Sequence, residues 1–419
     1  MEKPYRLPLE DGLVLCTAAD EHDVARVAAF NGAVHGPEAG ALTRSLFEHH
    51  PNTQKEDLIF VVDEASDQVV SSLCLIPWTW RYEDVEIQAG ELGIVGTAES
   101  HRGRGLIRAQ VDIFKHRLRE RGCLLSHIQG IPYFYRQFGY EYALPLEGGL
   151  RLELRHIPAP PDAGFTFRLA APKDVPHLSR LYNETVQDLA IHAPRDEAAW
   201  HYLLVHAKDT DTACERWIVQ DTDGHAVGYV GVQRYPFGEE LTASEVSSLS
   251  FEAALAVLHH LKELASEREK PGLRLNLPAG CALMGLARAL GAHDLGTYSW
   301  QIHVPDPVAL VRALTPVLER RVAASPFAGL THDLEVSLYR EGLLLRFAGG
   351  MLLEVADVHP AQGEVVLRCP PLQFVPLVLG YRTWKELRAT YPDVSVPPTW
   401  RLLVDTLFPR VTSFLYTIY

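Results

Sequence analysis

The chain has 419 residues, 47% of them hydrophobic and 22% charged, which excludes wholesale disorder and is too long for one ordinary core. A formal net charge of −14 argues against nucleic acid, whose affinity rests on Lys and Arg neutralising phosphates, and it suits a cationic small molecule. No apolar run reaches the ~18 residues of a membrane span, Met1-Glu-Lys-Pro-Tyr5 lacks the apolar core of a secretion signal, and the six cysteines form no C-x-x-C pair; a cytoplasmic protein with no metal centre is expected.

The opening segment reads as a mixed α/β unit. Leu13 to Thr17 is a short strand, followed by a helix from Asp20 with Val24, Val27, Ala28 and Asn31 on one face. Leu58 to Val62 and Val69 to Pro77 are strands flanking a polar turn. Trp78 to Ile87 is expected as a separate hairpin partner, and Gln88 to Thr97 as the next strand. A loop rich in Gly and Arg leads into a helix from Leu106 to Arg121. A strand from Cys123 to Gln129, a short aromatic helix near Pro132 to Phe138, and strands around Tyr140 and Leu150 complete the unit.

The stretch His156 to Gly164, rich in Pro and Ala, reads as a linker. After it the opening pattern returns, because Ala170-Ala-Pro-Lys-Asp174-Val echoes Ala18-Ala-Asp-Glu-His-Asp23-Val. Strands at Trp217 to Gln220, Val227 to Gln233 and Leu273 to Leu277, helices at Phe251 to Glu267 and Cys281 to Leu290, and a strand at Tyr298 to Val304 repeat the order of the first unit. An internal duplication is the economical explanation. A second break at Pro305-Asp-Pro307 opens an α+β unit that begins with a helix from Val308 to Ala323 and ends on the apolar tail Val411 to Tyr419, which is expected to be packed rather than solvated. The expected divisions are 1–156, 165–304 and 308–419.

The chemistry points to His101-Arg-Gly-Arg-Gly-Leu-Ile107. A strand, this loop and an immediate helix form an anion site, since the first helical turn leaves backbone N–H groups free and its dipole adds positive charge. Gly103 and Gly105 let the backbone approach a diphosphate, and Arg102 and Arg104 supply charge-assisted bonds. The alternative is a basic turn capping a surface helix. The loop lacks the Lys-Ser/Thr ending of a Walker loop and the G-x-G-x-x-G dinucleotide fingerprint.

The run from Val95 to Ala109 resembles the acetyl-CoA motif of the GNAT acetyltransferase superfamily, Q/R-x-x-G-x-G/A, with Arg102 in its first place, Gly105 in its fourth and Ile107 in its sixth, where a small residue is usual. With the aromatic run Tyr133 to Tyr142 downstream, the chain more specifically resembles the enhanced intracellular survival (Eis) acetyltransferases. That resemblance implies tandem GNAT-like mixed sheets with flanking helices, an α/β (α+β) class, and a C-terminal sterol-carrier-protein-like α+β domain. It implies acetyl-CoA as co-substrate, held by Val95, Thr97, Arg102, Gly103, Arg104, Gly105, Leu106 and Ile107, and a homo-oligomer, often a hexamer. The middle unit has no Gly/Arg loop before Phe251 and resembles the degenerate copy.

Acetyl transfer needs a neutral amine, donors for the developing oxyanion and a proton for the leaving thiolate. By the resemblance, Tyr135 supplies that proton, and the main-chain carboxylate of Tyr419 folds back as the base. Glu91, on the strand before the loop, is the rival base; a solvated strand residue is its plainer reading. Trp78 and Trp80 are candidates to wall the acceptor pocket, with strand packing the alternative. The resulting expectation is an N-acetyltransferase acting on a primary amine of a polyamine- or aminoglycoside-like molecule or of lysine. A dedicated protein lysine acetyltransferase and a non-catalytic CoA- or lipid-binding module are the alternatives.

Overall fold

The computed structural model describes residues 5–159, 164–358 and 364–419, so residues 160–163 of the expected linker lie outside the described residues. The first half holds β1 (Arg6–Pro8), β2 (Leu13–Thr17), α1 (Glu21–His35), α2 (Pro37–His49), β3 (Leu58–Asp63), β4 (Gln68–Tyr82), β5 (Val85–Thr97), α3 (Leu106–Glu120), β6 (Leu125–Ile128) and β7 (Glu141–Glu153). The second holds β8 (Thr166–Leu169), α4 (Val175–Val186), β9 (Ile191–His192), α5 (Glu197–Val205), β10 (Cys214–Gln220), β11 (Ala226–Gln233), β12 (Leu241–Val246), α6 (Phe251–Glu267), β13 (Gly272–Leu275), α7 (Ala282–Ala289) and β14 (His293–His303). Then follow α8 (Pro307–Ala313), α9 (Thr315–Ala323), β15 (His332–Ser337), β16 (Gly342–Ala348), β17 (Met351–Asp357), β18 (Val365–Arg368), α10 (Pro371–Val378), α11 (Trp384–Thr390) and α12 (Arg401–Leu407).

Local sequence explains the elements nearest the site. Asp20 caps α1 by accepting from the Asp23 N–H at 3.0 Å, and Val24, Val27, Ala28 and Asn31 form its buried face. Gly36, at φ 109, ends that helix, and Pro37 opens α2. Strand β2 is buried along its whole length because helices cover both faces of the sheet. Its alternate residues divide accordingly: Leu13 and Leu15 join the core that contains Phe114 and Leu118 of α3, and Val14 and Cys16 join the one that contains Val24 and Leu42 of α1 and α2.

The strands of both halves form one 14-stranded sheet, in the order β1-β2-β3-β4-β5-β6-β14-β7-β13-β12-β11-β10-β8, with β9 beside β4. Read inward from its two sides, the sheet repeats itself. Each half places its parallel pair near the middle, β5 with β6 and β12 with β13. The last strands cross over: β14 lies against β6, and β7 against β13, while β7 and β14 pair with each other. Each half is therefore completed by a strand of the other.

Two expected elements differ. The strand break at Trp78 does not exist; β4 runs unbroken through Pro77 and turns at 83–84 into β5. The expected helix over 308–323 is two, α8 and α9, with Pro316 near the start of the second. The last part forms a separate four-stranded sheet, β17-β16-β15-β18, with its helices. It docks on the first half through Tyr82, whose hydroxyl donates to the Val378 carbonyl at 3.0 Å, and through Arg321, which donates to Glu83 at 2.6 Å.

Candidate active site

The loop leaves its donors free. Gly103 and Gly105 take φ values of 79 and 76, a region costly to residues with a Cβ, and the space around both is open. Among the described residues, the N–H groups of Gly103, Arg104 and Gly105 find no acceptor, and no side chain caps α3. The first turn of α3 carries no acidic residue. Arg104 lies 3.8 Å from Asp11 at the surface, and Arg102 is exposed.

Beside the loop, the sheet opens. Strand β5 pairs with β6 only from Ala89↔Leu125 to Glu91↔His127, so among the described residues its last stretch, Leu92–Thr97, has no strand partner on that side. On the other side the register against β4 shifts between Ser72↔Gly96 and Cys74↔Gly93, which makes a bulge at Ile94 and Val95. Ile94 sits at φ 45, a strained conformation for a β-branched residue. The Thr97 hydroxyl is held 2.9 Å from Ser71 Oγ, which donates to Gln110 of α3 at 2.7 Å.

Tyr135 is buried in the short 3-10 turn Phe134–Phe138, tied to α3 by Lys115, which donates to the Phe138 carbonyl at 3.0 Å. Its ring packs on Tyr140, and its hydroxyl makes no hydrogen bond among the described residues. Burial pushes the phenol up to about 12, so it stays protonated throughout the neutral range.

Glu91 meets the side chain of Tyr419, not its terminal carboxylate. The chain end runs back between the halves, with the Phe414 N–H donating to the Ile191 carbonyl at 3.1 Å. Its side chains divide: Phe414 and Tyr416 enter the core of the second half, and Leu415, Ile418 and Tyr419 enter that of the first. The Tyr419 hydroxyl donates to Glu91 Oε1 at 2.8 Å, and a Tyr419 carboxylate oxygen accepts from the Thr417 hydroxyl at 2.8 Å. Burial first, and the Glu91 charge next, push the Tyr419 phenol well above its ordinary range. Glu91 is only 3% exposed, so it is not a solvated strand residue.

Glu91 Oε2 lies 3.6 Å from His127 Nε2. His127 sits among Trp78, Trp80 and Trp300, with ring centroids 4.9, 4.9 and 5.0 Å away. Among the described residues, the three indole N–H groups, both His127 nitrogens and Glu91 Oε2 have no hydrogen-bond partner. Native interiors leave few polar atoms in that state, and here six of them gather beside the fork. Trp78 and Trp80 are thus enclosed in this cluster rather than lining open space. The sequence reading missed His127 and Trp300; an imidazole on the short strand after the loop helix, Leu125-Ser-His-Ile128, was the available signal for the first.

A cavity of about 580 Å³ lies elsewhere, where β12 and β13 diverge, lined by residues such as Ser247, Asn276, Cys281, Thr412 and Phe414. It touches no residue of the Gly/Arg loop. The free donors and the fork between β5 and β6 therefore locate the candidate site better than cavity size does.

Residues 17–143 match the sequence profile of the acetyltransferase (GNAT) domain, which spans the fork, the loop and the aromatic turn. No curated protein matches the chain. Among solved structures, it is similar to a probable N-acyltransferase of Enterococcus faecalis (16% identity, TM-score 0.70, 97% of this chain and 100% of that one). It is also similar to a GCN5-related N-acetyltransferase of Anabaena variabilis (15%, TM-score 0.68, 96% and 99%) and to Eis1 of Mycobacterium abscessus (18%, TM-score 0.61, 97% and 100%). At these identities the likeness shows a shared fold over nearly the whole chain. The class defined by the domain is an acetyltransferase of mixed α/β architecture. GNAT domains use acetyl-CoA and act in general on amines, and among the described residues no helix is long and apolar enough to cross a membrane.

Proposed function

We propose that this chain is an Eis-like N-acetyltransferase that moves acetyl from acetyl-CoA to a primary amine of a cationic small molecule of the polyamine or aminoglycoside type. The observation that carries the proposal is the bond from the Tyr419 hydroxyl to Glu91, at the last residue pair before β5 and β6 separate. It joins the chain end to the fork beside the loop.

In this reading the free N–H groups from Gly103 to Ile107 and the Arg102 and Arg104 side chains hold the diphosphate. The backbone of Val95 and Thr97, at the unpaired side of β5, receives the pantetheine arm. Acetyl-CoA supplies the activated acetyl group as a thioester. The amine nitrogen bonds to the acetyl carbon as the carbon–sulfur bond breaks; one amine proton passes to a carboxylate, and the thiolate takes up a proton. Tyr135 faces the leaving sulfur. With a pKa of about 12 it serves first as a hydrogen-bond donor to the thiolate and gives up its proton only as the amine proton is removed. The Tyr419 carboxylate is the proposed base, with Glu91 at the far end of the Tyr419 side chain as its rival, and the two negative charges favour a cationic acceptor.

The divisions 1–156, 165–304 and 308–419 are proposed as catalytic unit, degenerate copy and sterol-carrier-protein-like unit, supported by the repeated sheet order and the separate four-stranded sheet. A cytoplasmic homo-oligomer, a hexamer as in the family it resembles, is part of the same proposal. Strand β17 supports it, being an edge strand that exposes Met351 and Leu353. A thiol-release assay with acetyl-CoA tests the function. Spermidine-like and aminoglycoside amines are expected to be turned over faster than lysine peptides. The opposite order would make it a protein lysine acetyltransferase, and CoA binding without turnover of any amine would leave a non-catalytic module.

A further inference from the structure

The second half carries a buried ionic cluster that the proposed chemistry leaves unused. Arg195, on the segment between β9 and α5, and Arg216, on β10, both bond the carboxylate of Glu245 on β12; Arg216 Nη2 donates to Oε2 at 3.0 Å. The Tyr229 hydroxyl donates to the same carboxylate at 2.8 Å. All four side chains are buried. The Arg195 guanidinium carbon also lies 4.5 and 4.6 Å from the ring centres of Tyr182 and Trp200, two rings set edge to face at 86°, so aromatic surfaces on two adjacent sides hold it in place. What remains of its fork points at the chain end: Nη2 donates to the Thr417 carbonyl at 2.6 Å and Nε to the same oxygen at 3.1 Å.

An arginine held this rigidly has one use for its remaining donors. Thr417 is two residues before Tyr419, and its hydroxyl in turn donates to the Tyr419 carboxylate at 2.8 Å. We infer that Arg195, fixed by Glu245 and the aromatic pair, is a positioning residue for acetyl transfer: it pins the Thr417 carbonyl and so sets the terminal carboxylate and the Tyr419–Glu91 contact in place. This gives the second half a task that needs no cofactor loop. It rests on the reading that the chain end takes part in catalysis.

The test uses the full chain. Arg195→Met removes the donors, and Arg195→Lys keeps the charge beside Glu245 while losing the forked contact. Expected for both is a fall in kcat of ~10-fold or more, the scale of misplacing a proton-transfer group, with CoA affinity unchanged by calorimetry. Carboxypeptidase is expected to release Tyr419 faster from both variants than from wild type. Where Arg195→Met does not fold, Arg195→Lys decides alone. Deletion of Tyr416 to Tyr419 separates the two ideas. If the deletion abolishes turnover while the Arg195 variants keep wild-type kcat and a protected terminus, the clamp is overturned and the role of the chain end stands. If the deletion leaves kcat intact, the role of the chain end fails and the inference falls with it.

Discussion

The two forks of the sheet begin alike and end differently. In each, three residues of one strand pair in parallel with three of the next, Ala89–Glu91 with Leu125–His127 and Leu241–Ala243 with Leu273–Leu275. Each is followed by a helix, α3 or α6. The third pair is Glu91 with His127 in the first fork and Ala243 with Leu275 in the second, so the carboxylate and the imidazole have apolar counterparts. The helix starts differ in the same sense. Helix α3 opens on Gly105, uncapped and with no acid in its first turn. Helix α6 opens on Ser250, whose side chain accepts from the Ala253 N–H at 3.2 Å, and carries Glu252 in its first turn. A cap fills the donors that would meet a phosphate, and an acid opposes it. The stretch 276–292 after β13 contains no tyrosine to stand where Tyr135 does. One architecture thus leaves donors open at one helix start and closes them at the other through a few local differences that do not disturb the sheet.

The comparison is tested most severely at the chain end. Deleting Tyr416 to Tyr419, or appending several residues after Tyr419, is expected to lower kcat ~100-fold or more, the scale of losing a positioned acid or base, while CoA affinity stays near wild type. Glu91→Gln is the paired measurement. If it abolishes turnover and the extended tail is harmless, Glu91 is the base and the chain end only its lid. Tyr419→Phe keeps the terminal carboxylate but strands Glu91 Oε1 in the interior, so a moderate loss is expected, about 1–3 kcal/mol in stability for the unpaired buried acceptor.

Next in size comes the loop. Gly105→Glu is expected to weaken CoA binding ~10- to 100-fold, the scale of losing a charge-assisted bond. Gly105→Ala adds only the strain of a positive φ and should weaken it less. Equal affinity for wild type and Gly105→Glu in calorimetry would remove the loop from the site. Tyr135 gives a prediction in pH. Its phenol is raised to about 12, so it remains a donor well beyond pH 10, and a plot of kcat against pH should show no alkaline fall from this group below that point. Tyr135→Phe should lower kcat at every pH without moving the remaining limbs of the profile. A wild-type fall centred near pH 9 that vanishes in Tyr135→Phe would show a lower phenol pKa than burial implies.

Much of this was legible because it is local. The bounds of β2 and α6, the buried face of α1 and the Gly/Arg loop follow from periodicity, capping residues and glycines within a few positions. The continuity of β4 was not, because Pro77 ordinarily breaks a strand. Here its missing N–H costs nothing: pairing with β3 ends at Cys74 and pairing with β9 begins at Arg81, so Pro77 lies where β4 has only β5 beside it. The exchange of β7 and β14, the meeting of Tyr419 with Glu91 across the length of the chain, and the Arg195–Glu245 pair are contacts between distant segments. No local pattern encodes them. Composition could say that the tail would be packed, and not which core would receive each residue.

The smallest expected effect tests the second fork directly. Ser250→Ala removes the cap on α6 without touching the sheet, the loop or the chain end. Losing one capping bond costs about 1 kcal/mol of stability, read as a lower midpoint in denaturant. It also frees the Ala253 N–H and so makes the start of α6 more like that of α3. If the difference between the forks lay in the cap alone, the variant would bind a second equivalent of CoA. The expectation is one equivalent and an unchanged kcat, because Glu252 still opposes an anion and no glycine-rich approach precedes the helix. A second equivalent in calorimetry would mean that the cap, and not the loop, decides which copy holds the cofactor. A single equivalent with the expected loss of stability would place the difference in the Gly/Arg loop, where Gly103 and Gly105 hold backbone conformations that no residue from Val246 to Ser250 supplies.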